Sequence, residues 1–220
     1  MAKIIDNPYD KLPLNDKNIV NYLLSNELNM DNIQLGDIKE LKIQPFLQKD
    51  FTELEQDCTF TSIVTCVHYF YPDINPQDIY NVAVGIYKRD FPSFQKINGV
   101  VPFAIKHIYD EVFKYFKLHY FSVRSRYVNH IGFSHKFIRT EIDEGIPIIL
   151  SMLNDGRKFY ENHTVTIIGY SEFIMTREQN VFSPFSPEKI KTLALVYDNW
   201  SKEIRYIDLA HISPISCVVF

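Results

Sequence analysis

The stretch LEQDCTFTSIVTCVHYF, residues 54–70, carries the strongest single signal in this chain. From Cys58 onward, Phe60, Ile63, Val64, Val67, His68 and Phe70 wrap most of a helical circumference, the pattern of a helix buried in a core, and Pro72 ends it. Cys58 stands at the start of that helix, after Asp57. A thiol there faces the positive end of the macrodipole and unpaired backbone N–H groups, which favour the thiolate and depress its pKa. Farther on, His163 opens a strand-like run in NHTVTIIGY (162–170), and Asp198 closes one in ALVYDNW (194–200). The chain order Cys, His, Asp is that of a cysteine nucleophile with a distant base and a residue that orients the base.

Outward from this helix, the middle third reads as helical. Pro76 follows Asn75 at the start of a helix to Lys88, and Pro102 starts another to Phe116, in which Phe103, Ile105, Ile108, Val112, Phe113 and Phe116 recur at helical spacing. The chain then changes character. LHYFSV (118–123) has the composition of a strand, Ser134–Glu144 that of a short helix closed by Gly145, and five apolar, β-branched runs follow: IPIILSML, HTVTIIGY, LALVYDNW, EIRYIDL and SCVVF. Helices first and strands second predict an α+β fold, with a helical half packed against an antiparallel sheet or partial barrel. FSPFSPEK (182–189) reads as a long surface loop between strands.

Before the Cys58 helix, IKELKIQPFLQKDF (38–51) alternates Leu41, Ile43, Pro45 and Leu47 with Lys42, Gln44 and Phe46, as a short extended segment would, and Gln48 closes it. Residues 1–40 read as an accessory segment with one helical pattern, Ile19, Val20, Leu23, Leu24 and Leu28, preceded by Asn15 and Asp16 as N-caps. Residues 41–220 form the main domain.

Composition narrows the partners. The chain has 220 residues, 46% of them hydrophobic, enough for a sizeable core. A net charge of −4 with scattered lysines and arginines is not suited to a phosphate backbone, so no nucleic-acid partner is expected. The 14 tyrosines and 17 phenylalanines spread over every element without interleaved basic residues, as core and groove lining does. Three cysteines, at 58, 66 and 217, match neither a zinc site nor a disulfide framework. No metal or cofactor is expected. The start MAKIIDNPYDKLPLND lacks the apolar core of a signal peptide, and no run of 18 apolar residues occurs. A reducing, cytoplasmic setting without membrane insertion is the expectation.

A cysteine nucleophile requires a base, a group that holds the imidazole, and donors for the oxyanion of the tetrahedral intermediate. His163 is the candidate base, and Asp198 the orienter, with Asn199 beside it as an alternative. Gln48 and the backbone N–H of Cys58 are the candidate oxyanion donors, with Gln56 a rival to Gln48. Trp200, the only tryptophan, stands two residues after Asp198, where it can shield the His–Asp contact from water. Cys66 and Cys217 read as packing residues. His68 is ten residues along the same helix, about 15 Å from Cys58 and too far to be its base.

Four segments resemble the motifs of the papain-like cysteine peptidases, most nearly the branch that includes the bacteriocin-leader-processing peptidases. IQPFLQ (43–48) is similar to their extended piece ending in glutamine, DCTFTS (57–62) to their nucleophile helix start, NHTVTIIGY to their histidine strand, and Asp198-Asn199-Trp200 to their "Asp-Pro-Trp" or "Asn-Ser-Trp" close. The resemblance implies a papain-like fold over residues 41–220 with the site between its halves. It implies a thiol hydrolase that cleaves a peptide or amide substrate through a thioester on Cys58. The same constellation also serves an acyltransferase or transglutaminase-like enzyme, and the fold without its chemistry would be a binding module. Thr59 stands where these peptidases usually have glycine and Phe60 where they often have proline or a small residue, which predicts a narrower or differently shaped groove beside Cys58.

Overall fold

His163–Thr176, a strand of 14 residues, is the longest element of the sheet, and the other strands are placed by it. The computed structural model describes residues 12–26, 30, 32–51, 57–94, 99–118, 124–127, 135–153, 160, 162–176, 188–209 and 213–219. Among the described residues the helices are α1 (Ile19–Asn26), α2 (Cys58–Phe70), α3 (Pro76–Asp90), α4 (Pro102–Tyr115) and α5 (His135–Asp143). The strands are β1 (Asn32–Glu40), β2 (Arg124–Tyr127), β3 (Ile148–Leu153), β4 (His163–Thr176), β5 (Lys189–Tyr197), β6 (Arg205–Ile207) and β7 (Ser213–Val219). They form one sheet in the order β2-β7-β3-β4-β5-β6, with every pairing antiparallel. One edge of β4 is shared: its start pairs with β3, from Met152↔His163 to Ile148↔Ile167, and its remainder with β1, from Glu40↔Gly169 to Asn32↔Thr176. The other edge pairs with β5. This is the α+β arrangement expected, with α2–α4 as the helical half.

The sheet separates two cores. Ile149 of β3 joins the apolar cluster of α2, α3 and α4, whereas its neighbours Ile148 and Leu150 join the cluster that holds α1 and α5. The alternation of side chains along a strand gives this division directly. Residues 58–67 of α2 are all buried, including Thr59, Thr61, Ser62 and Thr65. The Thr61 and Thr65 hydroxyls donate to the carbonyls of Asp57 and Thr61 one turn back, at 3.0 and 2.9 Å, so a helix enclosed on all sides carries them without orphaned groups.

Helix ends follow sequence cues. Asn75 caps α3, its side chain accepting from Gln77 N at 2.8 Å, and Pro76 occupies the first turn. Gly145, at φ +82°, closes α5, with Gly145 N donating to the Ile142 carbonyl and Ile146 N to that of Glu141. Asn15 precedes α1 as expected, and its side chain accepts from Lys17 N at 3.0 Å. No helix among the described residues is long and apolar enough to cross a membrane.

The five later runs read as strands fall in β3, β4, β5, β6 and β7. β1 is the element that the sequence does not announce: its side chains are mostly exposed, and a bulge between Leu35 and Ile38 breaks the alternation by which strands are read. Residues 119–123 of the expected strand LHYFSV and 182–187 of the expected loop lie outside the described residues.

Gly169 marks where β1 crosses onto β4. A side chain there would run into the Lys39 carbonyl and come within 3.1 Å of Glu40 Cα, main-chain atoms that cannot swing away. Gly169→Ala is therefore expected to lower stability by about 1–3 kcal/mol, as overpacking does. Urea denaturation would check this, and an unchanged midpoint would contradict the register.

Candidate active site

Cys58 is the first residue of α2 and is buried, with 7% of its surface exposed. The carboxylate of Asp57 does not cap this helix; it accepts from the Tyr80 hydroxyl on α3 instead. His163 is the first residue of β4, fixed in register opposite Met152. Asp198 follows the last residue of β5, and the pair Thr166↔Tyr197 brings that strand end beside the start of β4. Sheet register alone thus unites two residues that are 35 apart in sequence.

The contact between them is made by the main chain. His163 Nε2 lies 2.7 Å from the carbonyl oxygen of Asp198. A carbonyl only accepts, so Nε2 carries the proton, and a neutral ring keeps its lone pair on Nδ1. The Asp198 carboxylate serves the turn that follows: Oδ1 accepts from Trp200 N and Ser201 N, both at 3.0 Å, and Oδ2 faces Arg205 Nε at 3.6 Å.

Asn199 does not hold the ring. Its backbone lies in the left-handed region, at φ +64°, which asparagine tolerates better than most residues. Its side-chain Nδ2 carries two N–H donors and lies 3.0 Å from the Cys58 carbonyl oxygen, 2.9 Å from Ser62 Oγ and 2.9 Å from the Thr164 carbonyl oxygen, so two of these acceptors share one N–H. Gln48 begins a short 3-10 turn, Gln48–Asp50, and its N–H donates to the Asn199 carbonyl at 3.0 Å. The Gln48 side chain is buried, and among the described residues its Nε2 has no hydrogen-bond partner. A buried amide left in this state is costly. Gln56 lies outside the described residues.

Two aromatic rings close the far side. Trp200 stacks on His163 with ring centroids 4.0 Å apart and planes at 28°, and Tyr160 lies parallel to His163 at 5.6 Å. Trp200 is 44% exposed while His163 is 4% exposed, so the indole stands between the imidazole and solvent. Across the site Thr59 Oγ1 and Thr164 Oγ1 share a hydrogen bond of 2.9 Å, both side chains buried. Tyr160, Ser62 and Thr164 are site residues that the sequence reading lacks. The signal for Thr164 was only its place directly after His163, and nothing in the sequence around Tyr160 singles it out.

Burial sets the charge state. It pushes the Cys58 thiol above its ordinary range, against hydrogen bonding from Thr164 and Thr59, which favours the thiolate. It also pulls His163 down to about 4, against the Asp198 carbonyl and charge. Both shifts favour the uncharged form of the group. This corrects the expectation of a depressed thiol pKa, because loss of solvent at Cys58 outweighs what the helix start supplies.

The two unusual neighbours of Cys58 both point inward. Thr59 meets Thr164, and Phe60 packs edge-on against Tyr80 and Tyr87, with centroids at 6.1 and 5.8 Å, in the helical core. Cys66, in the same helix, is fully buried beside Thr166 of β4, a packing residue as expected. Among the described residues no group of three or more His, Cys, Asp or Glu side chains could hold a metal ion.

A sequence model of the Peptidase_C39 like family matches residues 40–203. The chain belongs to this family. It is a papain-like cysteine peptidase by family and fold, and the matched span runs from the end of β1 to the turn after Asp198, so it includes Gln48, Cys58, His163 and Asp198. No curated protein and no solved structure matches the chain significantly.

The buried imidazole of this family member makes stability depend on pH in a defined sense. With a folded pKa of about 4 and an unfolded value of about 6.5, the unfolded chain takes up the proton first as pH falls. Stability present above about pH 6.5 is lost towards pH 4, on the order of 3 kcal/mol for this residue. His68 and His135 shift in the same direction, so the comparison is with His163→Gln, which keeps them. Urea unfolding from pH 4 to 7 should show the parent losing more stability than the variant, and parallel curves would contradict the burial of His163.

Proposed function

We propose that this protein is a thiol hydrolase that cleaves a peptide or amide bond through a thioester on Cys58, with His163 as base. The observation that supports this most is that a buried cysteine at a helix start and a buried imidazole of defined tautomer sit on elements joined by one side chain, Asn199. In the first half-reaction the Cys58 proton passes to His163 Nδ1 as sulfur bonds to the acyl carbon. The tetrahedral oxyanion is held by the Cys58 N–H and by Gln48 Nε2, a buried donor without another partner among the described residues. The imidazolium then gives its proton to the leaving nitrogen as the C–N bond breaks. In the second half, His163 takes a proton from water, the water oxygen bonds to the acyl carbon, and the C–S bond breaks to return the thiol.

The orienting role falls to the Asp198 carbonyl in this reading. Its dipole stabilises the transient imidazolium without the buried carboxylate–imidazole contact of the serine proteases. Trp200 and Tyr160 exclude water from that contact. Starting from a neutral pair, the enzyme creates the thiolate only in the course of attack.

Two variants test the assignment. Cys58→Ala should fold and form no acyl-enzyme by intact mass with a peptide ester or amide substrate, and full activity would end the proposal. Asp198→Asn keeps both the main-chain carbonyl and an acceptor oxygen for Trp200 N and Ser201 N, so kcat should fall by no more than about tenfold. A drop of about 10⁴, as when a carboxylate orienter is lost, would mean that the carboxylate holds the ring during turnover. Added amines that divert the acyl group from water would show transfer in place of hydrolysis.

A further inference from the structure

The nucleophile and the base lie on different elements, 105 residues apart, and something must set the distance between them. Sheet register fixes His163 within β4 but does not bear on where α2 begins. Among the described residues, side-chain contacts that cross from the first turns of α2 to the start of β4 include the Cys58 thiol with Thr164, the Thr59–Thr164 hydroxyl pair, and Asn199, which reaches both elements from the turn after β5.

We propose that Asn199 is the positioning residue of this site: its side-chain amide fastens the start of α2 to the start of β4 and so sets how the Cys58 thiol meets the His163 ring. The proposal rests on Cys58 and His163 being nucleophile and base.

Four hydrogen bonds support it. Nδ2 points at the Cys58 carbonyl and Ser62 Oγ on one side and at the Thr164 carbonyl on the other, all within 3.0 Å. These acceptors sit on the nucleophile itself, one turn after it, and one residue after the base. The Asn199 carbonyl meanwhile takes the Gln48 N–H, so the candidate oxyanion donor is placed by the same residue. Asn199 is 1% exposed, and a buried amide with converging acceptors has little freedom to drift.

The residue type is constrained as well. The amide cannot be turned over, since its oxygen would then face two carbonyl oxygens. A backbone φ of +64° excludes proline and disfavours β-branched side chains. The Asp198 carboxylate stabilises this conformation by accepting from the two N–H groups that follow, at Trp200 and Ser201. Asp198 therefore holds His163 with its carbonyl and shapes the Asn199 turn with its side chain.

A displacement of about 1 Å in a reacting pair costs about 10²-fold in rate, which is the effect expected when the amide is removed. Asn199→Gly is the direct variant, because glycine keeps the left-handed backbone and the carbonyl to Gln48 while deleting the amide. Its kcat should fall about 10²-fold with KM little changed. Asn199→Ser, which retains one donor, should lose less and serves if the glycine variant does not fold. A loss of packing alone would lower the melting temperature without separating kcat from KM, so a second readout decides.

That readout is the rate of Cys58 alkylation by iodoacetamide at neutral pH, followed by peptide mass in the parent, His163→Gln, Asn199→Gly and the double variant. In the parent, His163→Gln should slow alkylation. In the Asn199→Gly background the same change should have almost no effect, because the ring no longer meets the thiol. A folded Asn199→Gly protein that keeps the full His163 dependence and parental kcat overturns the positioning role. If His163→Gln leaves Cys58 alkylation unchanged in the parent itself, the nucleophile–base reading fails, and the positioning role fails with it.

Discussion

Met152 faces His163 at one end of β4 and Asn32 faces Thr176 at the other, and between them both edges of the strand are paired along most of its length. A strand held on both edges cannot slip by one residue without exchanging the side chains that its two buried faces present. His163 therefore has a fixed position before any side-chain contact is considered. β5 returns alongside and delivers Asp198 to the same end of the sheet, where its carbonyl meets the imidazole. On the α2 side, Thr164 reaches Thr59 and the thiol of Cys66 lies beside Thr166, so the sheet also provides the floor for the nucleophile helix. The helical core behind α2, with Phe60, Ile63, Val64 and Val67 packed among residues of α3 and α4, holds that helix against the floor.

Burial then governs the chemistry. An exposed thiol and imidazole would share a proton readily, whereas Cys58 and His163 are both buried, Cys58 beside Thr59 and Thr164 and His163 against Trp200 and Tyr160, and burial favours the neutral form of each. In the proposed reaction the energetic problem is therefore to stabilise an ion pair as it forms. Backbone groups suit this task, because the Asp198 carbonyl and the helix-start N–H groups are dipoles fixed by the fold and need no reorganisation. A fold of this kind tolerates Thr59 beside the nucleophile, since its hydroxyl finds a partner in Thr164.

The elements with strong periodicity were legible in the sequence: α2, α3 and α4 begin at the residues expected, and the apolar runs 146–153, 163–170 and 193–200 lie in or overlap strands of the sheet. β1 was not, because a half-exposed strand with a bulge at Gly36 has neither alternation nor a uniform apolar run. For the candidate site, Cys58, His163, Asp198 and Gln48 could be proposed from motif and order. The atoms could not: whether the carboxylate or the carbonyl of Asp198 meets the His163 ring depends on a turn in which Asn199 has positive φ. That conformation is a tertiary result. The thiol pKa was misjudged for the same reason, since the helix start is local and visible while the burial that outweighs it is a product of tertiary packing.

The proposed chemistry turns on one proton on one ring. Nitrogen chemical shifts of the His163 imidazole at neutral pH, assigned against His163→Gln, report it directly. The structure predicts a neutral ring with the proton on Nε2, bonded to the Asp198 carbonyl, and an unprotonated Nδ1. A ring protonated on both nitrogens at that pH, or a neutral ring with its proton on Nδ1, would contradict the account.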